Sequence, residues 1–270
     1  MSIFGMEFKS NIGKFFAWLI VLSILTGLSM AFYQFMLDPS TKGIFDSFIG
    51  SLSPTTQSVF NLDPEIDYTD LTQYIGFIFQ FIAGLVAIFA MQLGARSLAK
   101  EQGTGDIEYI YANPVSRDEI YWQKFLANFI LFFLFCLCFA AITFGLSLIL
   151  QPTTLRKADL LLGVLKTFLS VFVIGLVYLG LGMFLSSLFN SQQADEGACV
   201  LIVLLSALII ILLKMFVGLE AAGYFILEGF KGISVVQGSF SLISLIAGGL
   251  VFVLGLVFGY LIYNAKELKY

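Results

Sequence analysis

The sequence predicts an all-α, polytopic membrane protein with six transmembrane helices. Of its 270 residues, 59% are hydrophobic and only 12% are charged, whereas an average soluble domain carries roughly 25% charged residues. Uncharged runs recur that reach the ~20 residues a helix needs to cross a bilayer. The mean hydropathy of +0.95 agrees, and 30 phenylalanines exceed what one soluble core would bury.

Composition also excludes several chemistries. The chain has no histidine, and its three cysteines, Cys136, Cys138 and Cys199, lie in or open apolar runs. Neither a zinc site nor a disulfide framework is expected. A net charge of -4 argues against nucleic acid as a partner. No cofactor-binding motif is present, and no segment is long and polar enough to form a separate soluble domain.

The elements follow in chain order. Phe4, Phe8, Ile12 and Phe15 recur at four-residue spacing, with Glu7, Asn11 and Lys14 on another side. This pattern describes an amphipathic helix over residues 1–14 lying in the membrane interface; the alternative is a plain extension of the first span. Membrane helices are then expected over 15–37, 71–102, 116–150, 160–189, 197–216 and 240–263. Lys9 and Lys14 ahead of an apolar run also have the look of a signal peptide. That run outlasts the usual signal core of about 7–15 residues, however, and Phe32 and Tyr33 continue it.

Six spans put both termini on one side. With the termini inside, the inner segments hold eight Lys and Arg residues and the outer segments five, which favours cytoplasmic termini in a cell membrane. Lys166 and Lys214 sit near expected outer ends, where they would snorkel to the interface. Residues 218–238 read either as a re-entrant hairpin or as an ordinary partly apolar loop. Gly255 and Gly259 have GxxxG spacing, and Gly175, Gly180 and Gly182 crowd the fourth span. Packing within the chain accounts for these better than a dimer seam.

The inner loop from Arg96 to Lys124 holds nine of the 32 charged residues. Asp70 and Gln73 mark a helix start, and Gly103 and Gly105 mark its stop. Ser116 and Glu119 have capping-box spacing, while Val115 and Ile120 fit a hydrophobic staple. Both flanking helices therefore project well beyond a hydrocarbon core of about 30 Å. Between them, residues 104–112 form a short transverse helix with Ile107, Ile110 and Tyr111 on one face and Asp106 and Glu108 elsewhere. Asn113-Pro114 ends it, because the residue before proline is pushed out of the α region.

The wording of this loop resembles the signature loop of ABC transporter permeases of the type-2 exporter superfamily. Glu101, Gly103-Thr104, Glu108, Pro114, Ser116-Arg117 and Lys124 carry the resemblance; Asp106, where the family often has an apolar residue, departs from it. The resemblance implies that residues 1–14 are an elbow helix and that residues 104–112 are a coupling helix seated on a separate ABC ATPase subunit. Glu101, Gly103, Thr104, Ile107, Glu108, Tyr111, Pro114 and Arg117 would form the ATPase-coupling site. It also implies a second permease chain, identical or paralogous, in a bacterial cell membrane.

The chain itself has no G-x-x-x-x-G-K-[ST] phosphate loop, so ATP hydrolysis would belong to the partner and the chain would not be an enzyme. The function implied is export of an apolar or amphipathic substrate, such as a lipid, drug or hydrophobic peptide. The alternative is a membrane scaffold or sensor that presents the loop to a regulatory partner. No row of intramembrane carboxylates suggests an ion-driven carrier, and no Ser/His or paired-carboxylate constellation suggests a hydrolase.

Overall fold

A computed structural model describes residues 3–104, 116–150, 155–188 and 192–266. All regular structure among them is helical, and six of the helices are long and apolar enough to cross a membrane. The first is α1 (Ile3–Ala31), continued through Phe32 by α2 (Tyr33–Met36). The short helices α3 (Pro39–Ser51) and α4 (Pro54–Val59) follow. The other long helices are α5 (Leu71–Thr104), α6 (Arg117–Leu150), α7 (Lys157–Leu188), α8 (Gln192–Phe216) and α12 (Leu242–Ala265). Between the last two lie α9 (Leu219–Ala222), α10 (Ile226–Gly229) and α11 (Gly232–Gln237).

Six apolar helices cover the expected spans, and the starts of α5 and α6 are capped as the sequence indicates, while Gly103 lies within α5 rather than ending it. Asp70 Oδ1 accepts the backbone N–H groups of Thr72 at 2.7 Å and Gln73 at 3.3 Å, capping α5. Ser116 Oγ accepts the Glu119 N–H at 3.2 Å and caps α6. The reciprocal half of that box is not made, because Glu119 instead accepts from Gln123 one turn on. At 34 residues, α5 is on the order of 50 Å long by its rise per residue, well beyond one bilayer core.

The N-terminal segment departs from expectation. Residues 3–31 form one unbroken helix, so the elbow expected over 1–14 is not a separate element. Its buried face is also different: Glu7 and Asn11 point inward together with Ile3 and Phe15, while Ile12 is exposed. The reason is a polar partner on α6. Asn11 Nδ2 donates to Asn128 Oδ1 at 2.9 Å and to Glu7 Oε1 at 3.0 Å, and Asn128 Nδ2 donates to Glu7 at 3.3 Å. Three buried polar side chains satisfy one another, so the helix packs upright against α6 with its polar stripe inside.

Helix α5 is the centre of the bundle and pairs most extensively with α7. At their crossing, Gly94 lies against the Leu179 carbonyl and Gly182 against the Met91 carbonyl, so close that a Cβ on either would overlap the facing backbone. Gly255 and Gly259 likewise face α7, at Gly180 and Phe184. The GxxxG pair is thus spent on packing within the chain. Between α5, α6 and α7 a group of phenylalanines fills the core: Phe79, Phe139 and Phe168 meet pairwise with ring centroids 5.0–5.4 Å apart. Phe89 and Phe135 continue it at 4.6 Å.

The ends of the helices define two faces. Ile3, the close of α5, the start of α6, the close of α7 and the close of α12 gather at the terminal face. The distal face carries α3, α4, the connection 60–70 and α9 to α11. Here Pro39 and Pro54 open their helices behind the caps Asp38 and Ser53. The Ser40 hydroxyl beside Asp38, and then that of Thr41, holds the Asp38 carboxyl below the usual carboxylate range.

Residues 218–238 form three short helices packed against the long ones. A Cβ on Gly76 would lie 3.0 Å from the Ile233 Cα, and Ser170 Oγ donates to the Phe230 carbonyl at 2.5 Å. The segment therefore packs against α5 and α7, with its irregular backbone held by protein groups.

Candidate functional site

The site expected from the sequence is the loop between α5 and α6. Ile107, Glu108, Tyr111 and Pro114, with the transverse helix 104–112 beyond its first residue, lie outside the described residues. Glu101, Gly103 and Thr104 lie in the last turns of α5. Arg117 opens α6 and is fully placed, and around it the structure shows how the loop's far end is anchored.

Arg117 Nη1 donates to the Asn264 carbonyl at 3.1 Å and to the Lys266 carbonyl at 2.8 Å. These are carbonyls that the end of α12 leaves without intrahelical partners, and a guanidinium suits the negative end of the helix dipole. Next to it, Asp118 Oδ1 accepts from Tyr260 Oη and Asn264 Nδ2, both at 2.8 Å. Two adjacent residues of opposite charge thus grip one helix end through its backbone and its side chains.

The grip continues inward. Tyr121 Oη donates to the Leu256 carbonyl at 2.9 Å, and its ring packs edge-on against Tyr260 with centroids 5.6 Å apart. Gly259 makes room for that hydroxyl. Lys266 Nζ donates to the Ser187 carbonyl at 3.1 Å, joining the chain's end to the close of α7. Lys124, one turn deeper on α6, is buried and donates to the Ser97 carbonyl of α5 at 2.5 Å. Ser186 Oγ of α7 accepts the Leu98 and Ala99 N–H groups of α5 at 2.7 and 3.1 Å. The base of α6 is in this way tied to α5 and α12, and both of these to α7.

The sequence marks Arg117 as a coupling residue and Lys124 as part of the family resemblance, but it does not single out Asp118, Tyr121 and Ser186 as parts of one clamp. The signal was partial: an Arg-Asp pair in a first turn, opposite a last helix ending in Tyr260, Tyr263, Asn264 and Lys266. Nothing in linear order says that these two ends meet. Replacing Arg117 by Ala should cost about 1–2 kcal/mol, since charge-assisted bonds to two carbonyls are lost at a half-buried place. Hydrogen exchange of residues 260–266 should speed up, while that of the Phe79–Phe139 core should not.

Six helices long and apolar enough to cross a membrane, with the base of α6 tied to α5 and α12, make a multi-pass membrane bundle. The chain belongs to the ABC-2 family transporter protein family, whose model matches residues 1–230. No curated protein matches it. The family is one of membrane transport components, and the chain is accordingly a multi-pass membrane protein of the ABC transporter permease class.

Proposed function

We propose that this chain is the membrane-spanning subunit of an ATP-driven exporter, working with a separate ABC ATPase subunit and a second permease chain. The observation that carries the reading is the clamped base. A push on the segment between α5 and α6 is passed through Lys124 to α5 and through Arg117 and Asp118 to α12. Residues 104–112 act as the coupling helix, with Ile107 and Tyr111 as the apolar contact and Glu108 as the charged one. Glu101, Gly103, Thr104 and Pro114 set where that helix begins and ends. The termini face the cytoplasm of a bacterial cell, as the distribution of Lys and Arg favours.

The mechanism is a change of packing. Closure of paired ATPases on ATP moves the coupling helix, and α5 and α6 carry the movement as stiff levers. A cavity between two permeases then opens away from the ATPases. The substrate class is apolar or amphipathic, in keeping with spans that present almost no charge. Phenylalanine content adds nothing to this, because the inner rings pack on one another and the outer ones, such as Phe16, Phe81 and Phe133, are exposed on lipid-facing helix sides.

Glu108→Lys is expected to leave the protein folded and in the membrane while transport per ATP hydrolysed falls roughly tenfold, within the usual size of coupling between sites. Purified complexes reconstituted in vesicles measure both rates together. Normal transport by that variant would remove residues 104–112 from the coupling role. Affinity purification in mild detergent should also bring down a protein with a Walker phosphate loop; repeated recovery of the permease alone would defeat the transporter reading.

A further inference from the structure

The distal face holds a pocket of about 380 Å³ between the 54–66 stretch and the α9–α11 segment, within the range of small-ligand sites. Ser58, Asn61, Glu228 and Lys231 line it and form an ionic cluster with Lys214. Glu228 takes Lys214 Nζ on Oε2 at 2.7 Å and Lys231 Nζ on Oε1 at 2.6 Å. Asn61 Oδ1 accepts from both ammonium groups at 2.7 Å, and the Ser58 carbonyl accepts from Lys214 at 2.9 Å. Asn61 holds this place with φ of 54°, the left-handed conformation that Asn tolerates better than most residues. Backbone strain of this kind persists where the surroundings hold it.

The charges do not balance. Two ammonium groups share one carboxylate, with side-chain exposures of only 1% for Lys214, 18% for Lys231 and 11% for Glu228. The other acidic residue lining the pocket, Asp63, is exposed and its carboxylate accepts the Glu65 N–H of its own loop at 2.9 Å. Within the cluster itself one positive charge is thus left in excess at a place largely withdrawn from water, where charges are ordinarily paired, while the lining of the pocket holds Lys231 with Glu228 and Asp63. Lys214 has its three protons committed to Glu228, Asn61 and Ser58. Lys231 lines the pocket and has two committed, which leaves one N–H for a bound group.

We propose that this pocket binds a phosphate group, with Lys231 as its principal donor. A phosphate supplies the missing negative charge and accepts the remaining proton of Lys231 as a charge-assisted hydrogen bond. Its source is either a lipid headgroup or free phosphate. The exposed side chains of Phe216, Val217 and Leu219 lead from the apolar surface of α8 to the pocket, and Leu219 lines it. That path suits the acyl chains of an anionic lipid. The site is far along the chain from the coupling loop and does not depend on the transport reading.

The test uses the full chain purified in detergent, with phosphatidylglycerol added and its retention followed by native mass spectrometry, and inorganic phosphate titrated in a parallel arm. Lys231→Met should weaken retention roughly tenfold, as loss of one charge-assisted bond implies, while Lys42→Met should not. Because Lys214 and Glu228 remain a neutral pair, the Lys231→Met protein should keep its melting temperature. Ser234→Phe, which fills the pocket without touching the ions, serves as a second variant should Lys231→Met fail to fold. Retention of the lipid with no competition from millimolar phosphate assigns a headgroup; binding of phosphate alone assigns the free anion. Equal binding of both probes by the wild type and the folded variants, or binding of neither, would overturn the proposal.

Discussion

Glu228→Ala should be the most damaging single change on the distal face, lowering stability by about 3–5 kcal/mol, the usual result of removing one partner from a buried ion pair. The carboxylate is shared by Lys214 and Lys231, so its loss leaves two nearly buried ammonium groups facing each other across Asn61. Thermal unfolding in detergent, with cysteine accessibility at residues 219–237, measures the effect. The triple variant Lys214→Met, Glu228→Leu, Lys231→Met removes every charge together and should recover most of the loss, since well-packed apolar replacements for buried ions are often neutral or stabilising. Such a recovery would mean that the cluster is kept for something other than stability, which is what a binding role requires. A triple variant as unstable as Glu228→Ala would make the cluster purely structural.

Gly182→Leu should have an effect of similar size at the other end of the bundle. A Cβ there meets the Met91 carbonyl carbon at 3.0 Å and the Ala95 nitrogen at 2.9 Å, so backbone and not a flexible side chain must move. Overpacking of a close core commonly costs about 1–3 kcal/mol, and here a four-carbon side chain is forced between two helix backbones. The expected outcome is loss of the α5–α7 crossing, seen as poor recovery of monodisperse protein and a lowered melting temperature. The Ser186 contacts to Leu98 and Ala99 sit one turn beyond Gly182 and should be lost with the crossing. Gly197→Leu, where a Cβ would meet nothing within 4 Å, is the matched control and should fold normally. Equal stability of the two variants would show that the crossing tolerates a wider separation.

How much of this was legible beforehand differs by element. The caps at Asp70 and Ser116 were readable because capping is local chemistry between neighbours in sequence. The four-residue spacing of Phe4, Phe8 and Ile12 implies a helix lying in the interface, but Asn128 on α6 draws Glu7 and Asn11 inward. Lys166 and Lys214 looked alike, each a lone cation near an expected outer end. Lys166 is exposed and reaches the Val236 carbonyl at 3.4 Å. Lys214 instead is buried and held by Glu228, because the α9–α11 segment folds over it.

The sequence by itself determined the number of spans and the points where α5 and α6 begin. These follow from length, polarity and the hydrogen-bonding needs of helix ends. Tertiary structure decided which side of each helix is inside and which distant ends meet: Arg117 with the close of α12, Lys124 with Ser97, Lys214 with Glu228. The physical reason is the solvent. A helix in lipid is apolar all round, so its sequence carries little of the amphipathic stripe that marks the buried side of a helix in water. Close glycine crossings and a few buried polar contacts set the arrangement instead.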